Sequence, residues 1–343
     1  MNLPGKRRPK VPKWVVPVAG LLVSGLSLYF SFRKFDYTRF GHDVRTLVWP
    51  WVILAIAAEL VSYVIDSWRW LVILSPAEQP TLLQCVQATF IGVLGNDVLL
   101  LKAGEVIRPF LLTRWARVPF SLSMTAAVVE RIMDGLVMVI LFYIVTADIS
   151  NTPTWMRDGM FVLSISVSII AAIILFVLFY RSHAHRIVSG RSWTAKFLHV
   201  LEEIHMLGNW RTLVCAFAMS FLYFLCQFLA VLCLGRAGNF DFGLRESAFV
   251  LLGMRLVTMI PNAPGNVGTF QLAFETSLRV LMVESFNAKS FALIAYVVMQ
   301  WTPALVGVLC VALTGMSMGE IHKQAHHAHR ENEELRGGVV EAG

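Results

Sequence analysis

Charge is what this sequence has least of. Only 15% of its 343 residues are Asp, Glu, Lys or Arg, against 57% hydrophobic residues, where a soluble domain carries nearer a quarter charged. The mean hydropathy is +0.65. An ordinary soluble protein is thereby excluded. Metal-site cysteine spacing is also missing: Cys85, Cys215, Cys226, Cys233 and Cys310 lie singly inside apolar segments and read as small core residues. There is no Gly-Lys-Ser/Thr phosphate-cradling loop and no nucleophile elbow, so ATP-driven action is not expected. No catalytic residue, cofactor or metal ligand can be assigned, and an enzyme is the weaker expectation. No nucleic-acid motif accompanies the net charge of +7. The basic residues cluster beside apolar runs, a pattern of membrane topology and anionic lipid contact.

What is present is a series of apolar runs longer than the roughly 20 residues that span a bilayer. They are continuous rather than alternating, which points to helices and not a barrel. Lys6, Arg7, Arg8, Lys10 and Lys13 make residues 1–13 a cytoplasmic basic N-terminus. Spans are expected at residues 14–32, 50–74, 119–146, 159–180, 212–234 and 289–316. A short amphipathic helix is expected within residues 33–49 and another over 193–207. The histidines of that second loop and of the polar tail, residues 317–343, read as ordinary interfacial and solvated side chains.

Two segments do not fit a simple span. Residues 81–101 are apolar, but Gly92, Gly95, Asn96 and Asp97 interrupt them, and both flanks are assigned to the cytoplasm. A re-entrant hairpin over about 81–113 answers both constraints, since broken backbone at membrane depth must be buried or line a cavity. Residues 246–284 are broken in the same way by Pro261, Pro264, Gly265 and Gly268. The expected fold is thus an all-α polytopic membrane protein, one integral domain over residues 14–316. It has about six full spans plus two re-entrant helical hairpins arranged as an inverted repeat, a pattern that points to a site near the midplane.

The charged residues concentrate at those breaks. Residues 99–136 carry Lys102, Glu105, Arg108, Glu130, Arg131 and Asp134, and ionisable groups at membrane depth mark function. The counterpart stretch offers Arg255, Asn262, Pro264, Gly265 and Gly268, then Gln271, Glu275 and Arg279 at spacings of four on one helix face. Helix ends opened there expose N–H groups, and Lys102, Arg108, Arg255 and Arg279 add positive charge suited to a phosphate or other anionic head group. Glu105 and Glu130 either hold arginines or meet a cationic group such as an aminoacylated lipid head. Glu59, Asp66 and Arg69, close on one helix, read as an internal ion pair with an interfacial anchor beside Trp68 and Trp70. The two broken segments are expected to meet and bind a lipid head group while the tails stay in the bilayer.

Gly104-Glu105 with Arg108, then Glu130-Arg131 with Asp134, followed by Ile260-Pro261, Pro264-Gly265 and Gly268, resemble the lysylphosphatidylglycerol synthase transmembrane (flippase-like) family over about residues 14–316. The resemblance implies a membrane domain that translocates lipids or lipid-linked intermediates. Two departures stand out. The sequence ends about thirty residues after the last expected span, so the aminoacyltransferase domain of the lysyl-transfer relatives, and its activity, are expected to be absent. Gln271 stands where relatives often place Glu, which puts cation binding or proton coupling there in doubt, with Glu275 one turn later as the substitute. The expected function is flipping of a lipid with an anionic or glycosylated head group between leaflets. The alternative is a membrane-embedded enzyme or accessory subunit in glycolipid or lipid-linked glycan synthesis. Expected partners are membrane lipids, a separate lipid-modifying synthase or glycosyltransferase, and a second copy as a homodimer, with no nucleic acid. The expected location is the plasma or inner membrane with both termini cytoplasmic.

Overall fold

The computed structural model describes Tyr29 and residues 37–99, 102–147, 152–179, 206–207, 210–241, 243–259, 264–283 and 285–314. The span expected at residues 14–32 (Tyr29 apart), nearly all of the helix expected over 193–207, Asn262 and the tail lie outside them. Among the described residues every regular element is helical. Four of these helices, Trp49–Leu74, Thr154–Ile173, Trp210–Ala237 and Ala288–Thr314, are long and apolar enough to cross a membrane. The chain is an all-α membrane protein.

The helices are α1 (Tyr37–Thr46), α2 (Trp49–Leu74), α3 (Leu82–Val98), α4 (Gly104–Ala116), α5 (Phe120–Thr146), α6 (Thr154–Phe179), α7 (Trp210–Ala237), α8 (Leu244–Thr258), α9 (Thr269–Val280), α10 (Ser285–Tyr296) and α11 (Thr302–Thr314). A π-helical turn, Val297–Trp301, joins the last two into one rod. Local chemistry sets several starts. Pro50 sits in the first turn of α2, where its missing N–H goes unneeded. Thr81 and Gln84 cap α3 reciprocally, with Thr81 N donating to Gln84 Oε1 at 2.9 Å and Gln84 N to Thr81 Oγ1 at 3.3 Å. Helix α5 has the length of a span, 27 residues, but carries Glu130, Arg131 and Asp134.

The structure departs from the sequence expectation in the first hairpin. Gly92, Gly95, Asn96 and Asp97 do not interrupt the first broken segment: α3 runs through them to Val98, and the next helix starts at Gly104. The glycines serve packing instead. Lipid tails are as apolar as the helices, so close backbone contact, not hydrophobicity, drives helix association in a membrane. A Cβ on Gly92 would lie 3.1 Å from the Gly104 carbonyl oxygen, a Cβ on Gly95 3.1 Å from Gly104 Cα, and a Cβ on Gly104 would overlap the Gly92 carbonyl. Helix α4 therefore returns antiparallel along the glycine face of α3. At the far end Gln84 Nε2 donates to the Trp115 carbonyl at 3.3 Å, so both ends of this hairpin lie on the same side. The second hairpin, α8 with α9, closes similarly, with Gly253 against Ser277. Its turn uses positive φ at Gly265 (67°) and Gly268 (82°), values that glycine adopts without strain.

The two halves pack alike under exchange. Helix α2 lies against α7, α3 against α11 as α8 lies against α5, and α4 against α5 as α9 lies against α10. The halves run in opposite directions. Val48 N, at the start of α2, donates to the Ala237 carbonyl at the end of α7 at 3.0 Å. Arg69 Nη1, near the end of α2, donates to Ser220 Oγ near the start of α7 at 2.6 Å.

Candidate functional site

At the centre of the bundle the scarce charges form a closed lattice. Arg69 is fully buried on α2. Its guanidinium donates to Asp66 Oδ1 at 2.6 Å, to both carboxylate oxygens of Asp134 on α5, and to Ser220 on α7. Arg108 on α4 makes a two-pronged bond to Glu130, at 2.8 and 3.2 Å, and lies 4.0 Å above the ring of buried Trp70. Arg131 donates to Glu130 Oε1 at 2.6 Å and reaches Asp134 at 3.4 Å and Glu105 at 3.9 Å. Bidentate guanidinium–carboxylate pairing is strong and directional, and three arginines against Asp66, Glu130 and Asp134 leave the inner lattice neutral. Those three carboxylates are grouped closely enough to hold a cation, but arginine donors already occupy them, so the grouping is an ion-pair lattice that ties α2, α4, α5 and α7 together.

Above the lattice lies a cavity of about 450 Å³, and the two hairpin tips meet across it. Lys102, at the first tip, donates from Nζ to the Thr258 carbonyl at the end of α8 at 2.6 Å. Asp97 at the end of α3 accepts from Gln300, and Tyr296 OH donates to the Gly265 carbonyl at 2.8 Å. Tyr296 and Gln300 flank or lie in the π-helical turn, a local widening that often falls at functional sites. Arg255 on α8 also lines the cavity. It donates to Tyr223 OH at 3.0 Å and to Gln227 Oε1 at 2.7 Å on α7. Val128 and Met259 line the cavity and are 51% and 43% exposed, so the cavity reaches the protein surface beside them.

Residues 18–307 match the family model described as lysylphosphatidylglycerol synthase TM region. The chain belongs to this family. No curated protein matches it closely enough to serve as a relative. In this member of the lysylphosphatidylglycerol synthase membrane family, the residues singled out in the sequence divide into three groups. Lys102, Glu105, Arg108, Arg131, Asp134, Arg255 and Pro264 line the one cavity, and Glu130 is buried behind it holding Arg108 and Arg131. Gly265 and Gly268 shape the second tip. Gln271, Glu275 and Arg279 are not cavity residues: Gln271 Oε1 accepts from Gly268 N at 2.7 Å and caps α9, and Glu275 pairs with Arg279 one turn on. Helical spacing put those three on one face but did not reveal which neighbour that face meets.

The cap explains Gln271 without any proton-coupling role. Gln271→Leu is expected to destabilise the protein by about 1–3 kcal/mol, the penalty for a buried donor left unpaired. Gln271→Glu should retain the cap. Thermal unfolding of the two purified variants checks this, and equal losses would count against the cap as the role of this side chain.

Sequence reasoning undervalued Asp66 and Arg69. Their mutual pair is present, but Arg69 also reaches Asp134 and Ser220 on other helices. It missed Tyr223, Gln227 and Gln300. Two isolated glutamines inside apolar runs were the available signal for the last two, since a buried amide needs a partner.

Proposed function

We propose that this protein moves a lipid between leaflets by passing its polar head group through the cavity between the hairpin tips while the acyl tails stay in the bilayer. The observation that carries this reading is the cavity itself. It is lined by both signs of charge, closed at its floor by a neutral ion-pair lattice, and open to the surface at Val128 and Met259. Its volume of about 450 Å³ falls within the range of small-ligand sites, suited to a head group and too small for a whole phospholipid. Membership in a family of lipid synthase membrane regions supports a lipid as the cargo. Hairpins whose ends return to one side support a re-entrant arrangement, with polar backbone at depth facing the cavity. Basic residues at both ends of the chain favour cytoplasmic termini in the plasma or inner membrane.

The test is head-group transfer in sealed vesicles holding the purified protein. Head-group-labelled phosphatidylglycerol and a labelled polyprenyl-phosphate sugar are the probes. Wild type is expected to move one of them above empty vesicles, and Arg131→Gln, which leaves Glu105 without its arginine and changes the cavity wall, is expected to slow that movement. No movement of either lipid, together with a chemically altered lipid in detergent, would replace transport by membrane-embedded synthesis.

A further inference from the structure

The basic residues of the cavity are not equivalent. Arg69, Arg108 and Arg131 are each spoken for by carboxylates of the lattice. Lys102 and Arg255 are different. Among the described residues neither forms an ion pair with a carboxylate. Lys102 donates a hydrogen bond to the carbonyl of Thr258, and Arg255 donates to the uncharged Tyr223 and Gln227. The Lys102 contact falls on the last turn of α8, the same turn that carries Arg255, and both cations line the cavity, close enough to act on one another electrostatically. Glu105 acts on Lys102 and Glu59 on Arg255, both from beyond ion-pair distance, so each cation has a carboxylate in its surroundings but none in contact, and an anion set against both gains direct pairing.

We propose that Lys102 and Arg255 form the phosphate subsite of the cavity, and that the lattice arginines do not contact the anion. The inference rests on the reading that a lipid head group enters the cavity, and names what that head group must carry: a phosphodiester or equivalent anionic group near its glycerol or prenyl attachment. The lattice is a neutral floor. The anion is recognised at the meeting point of the two hairpins, so a lipid in place touches the tips of both inverted halves, Lys102 from the first and Arg255 from the second. The Tyr223–Gln227 pair fixes the Arg255 guanidinium, and the Thr258 carbonyl fixes the Lys102 ammonium, so both cations are held in place before the ligand arrives.

The experiment measures lipid binding to the purified full chain in detergent with two probes, phosphatidylglycerol and a phosphate-free diglycosyl diacylglycerol. Wild type is expected to favour phosphatidylglycerol by at least about tenfold. Lys102→Gln and Arg255→Gln are each expected to weaken phosphatidylglycerol binding by about tenfold, the scale of one charge-assisted hydrogen bond, without changing glycolipid binding. Lys102→Arg, which keeps the charge, should retain the preference. A wild type with no preference for the phospholipid overturns the subsite, as do variants that lose both lipids equally or lose neither. Vesicle transport, measured on the same preparations, separates the two ideas. A wild type that binds phosphatidylglycerol with the stated preference yet leaves it in its original leaflet upholds the subsite and removes the translocation reading.

Discussion

Arg69→Met is expected to destabilise the protein by about 3–5 kcal/mol, the scale seen when one partner of a buried ion pair is removed. The change leaves the Asp66 and Asp134 carboxylates facing each other at the bundle centre, with Asp134 keeping Arg131 at 3.4 Å and Asp66 keeping Arg108 at 3.5 Å. It also removes the only described bond from α2 to Ser220 on α7. The penalty comes from stranded charge more than from lost attraction, so Arg69→Met combined with Asp134→Leu should recover part of the loss. Such a coupling is what neighbouring sites in one network show. Unfolding in detergent by heat or denaturant measures Arg69→Met, Asp134→Leu and the double variant. A single variant within about 1 kcal/mol of wild type, against the loss expected for a buried pair, would mean that the lattice is not what holds the four helices together.

Gly104→Val should be nearly as damaging, for a steric reason. A Cβ there overlaps the Gly92 carbonyl and would lie 2.7 Å from Asn96 Oδ1. The obstacle is backbone in the neighbouring helix, which cannot turn aside as a flexible side chain can. The hairpin must open, and Arg108, one turn further along α4, is drawn away from Glu130. Overpacking of this kind costs about 3 kcal/mol, at the upper end of such substitutions, and head-group transfer should be lost with the hairpin. Gly41→Ala is the control, because nothing lies within 4 Å of a Cβ at that position. If Gly104→Val unfolds and transports like Gly41→Ala, the close crossing of α3 and α4 is not required.

The all-helical membrane class was legible because scarcity of charge and unbroken apolar runs follow directly from the solvent. The importance of residues 102–134 was legible for the same reason: eight charged side chains between apolar segments need an explanation. The identity of their partners was not. Arg69 and Asp66 lie three apart on one helix, and the local pair this permits does exist, but the bonds to Asp134 and Ser220 join residues 65 and 151 positions away. Sequence spacing speaks only of neighbours on the same helix. Gly92 and Gly95 were misjudged as a break because glycine weakens a helix in water, whereas here α4 packs into the space they leave. Gln271 looked like a substitution within a functional face, and its amide instead caps a helix whose start is buried.

A lipid head group that passes through this protein must occupy the space between the hairpin tips. The most direct measurement is photo-cross-linking with a lipid carrying its reactive group on the head, mapped by peptide sequencing after digestion. Adducts are expected at Met124, Val128 and Met259, which line the cavity. Leu305, Leu309 and Leu313, exposed on the apolar outer face of α11, should carry none. Adducts confined to that outer face, with none in the cavity, would contradict that placement.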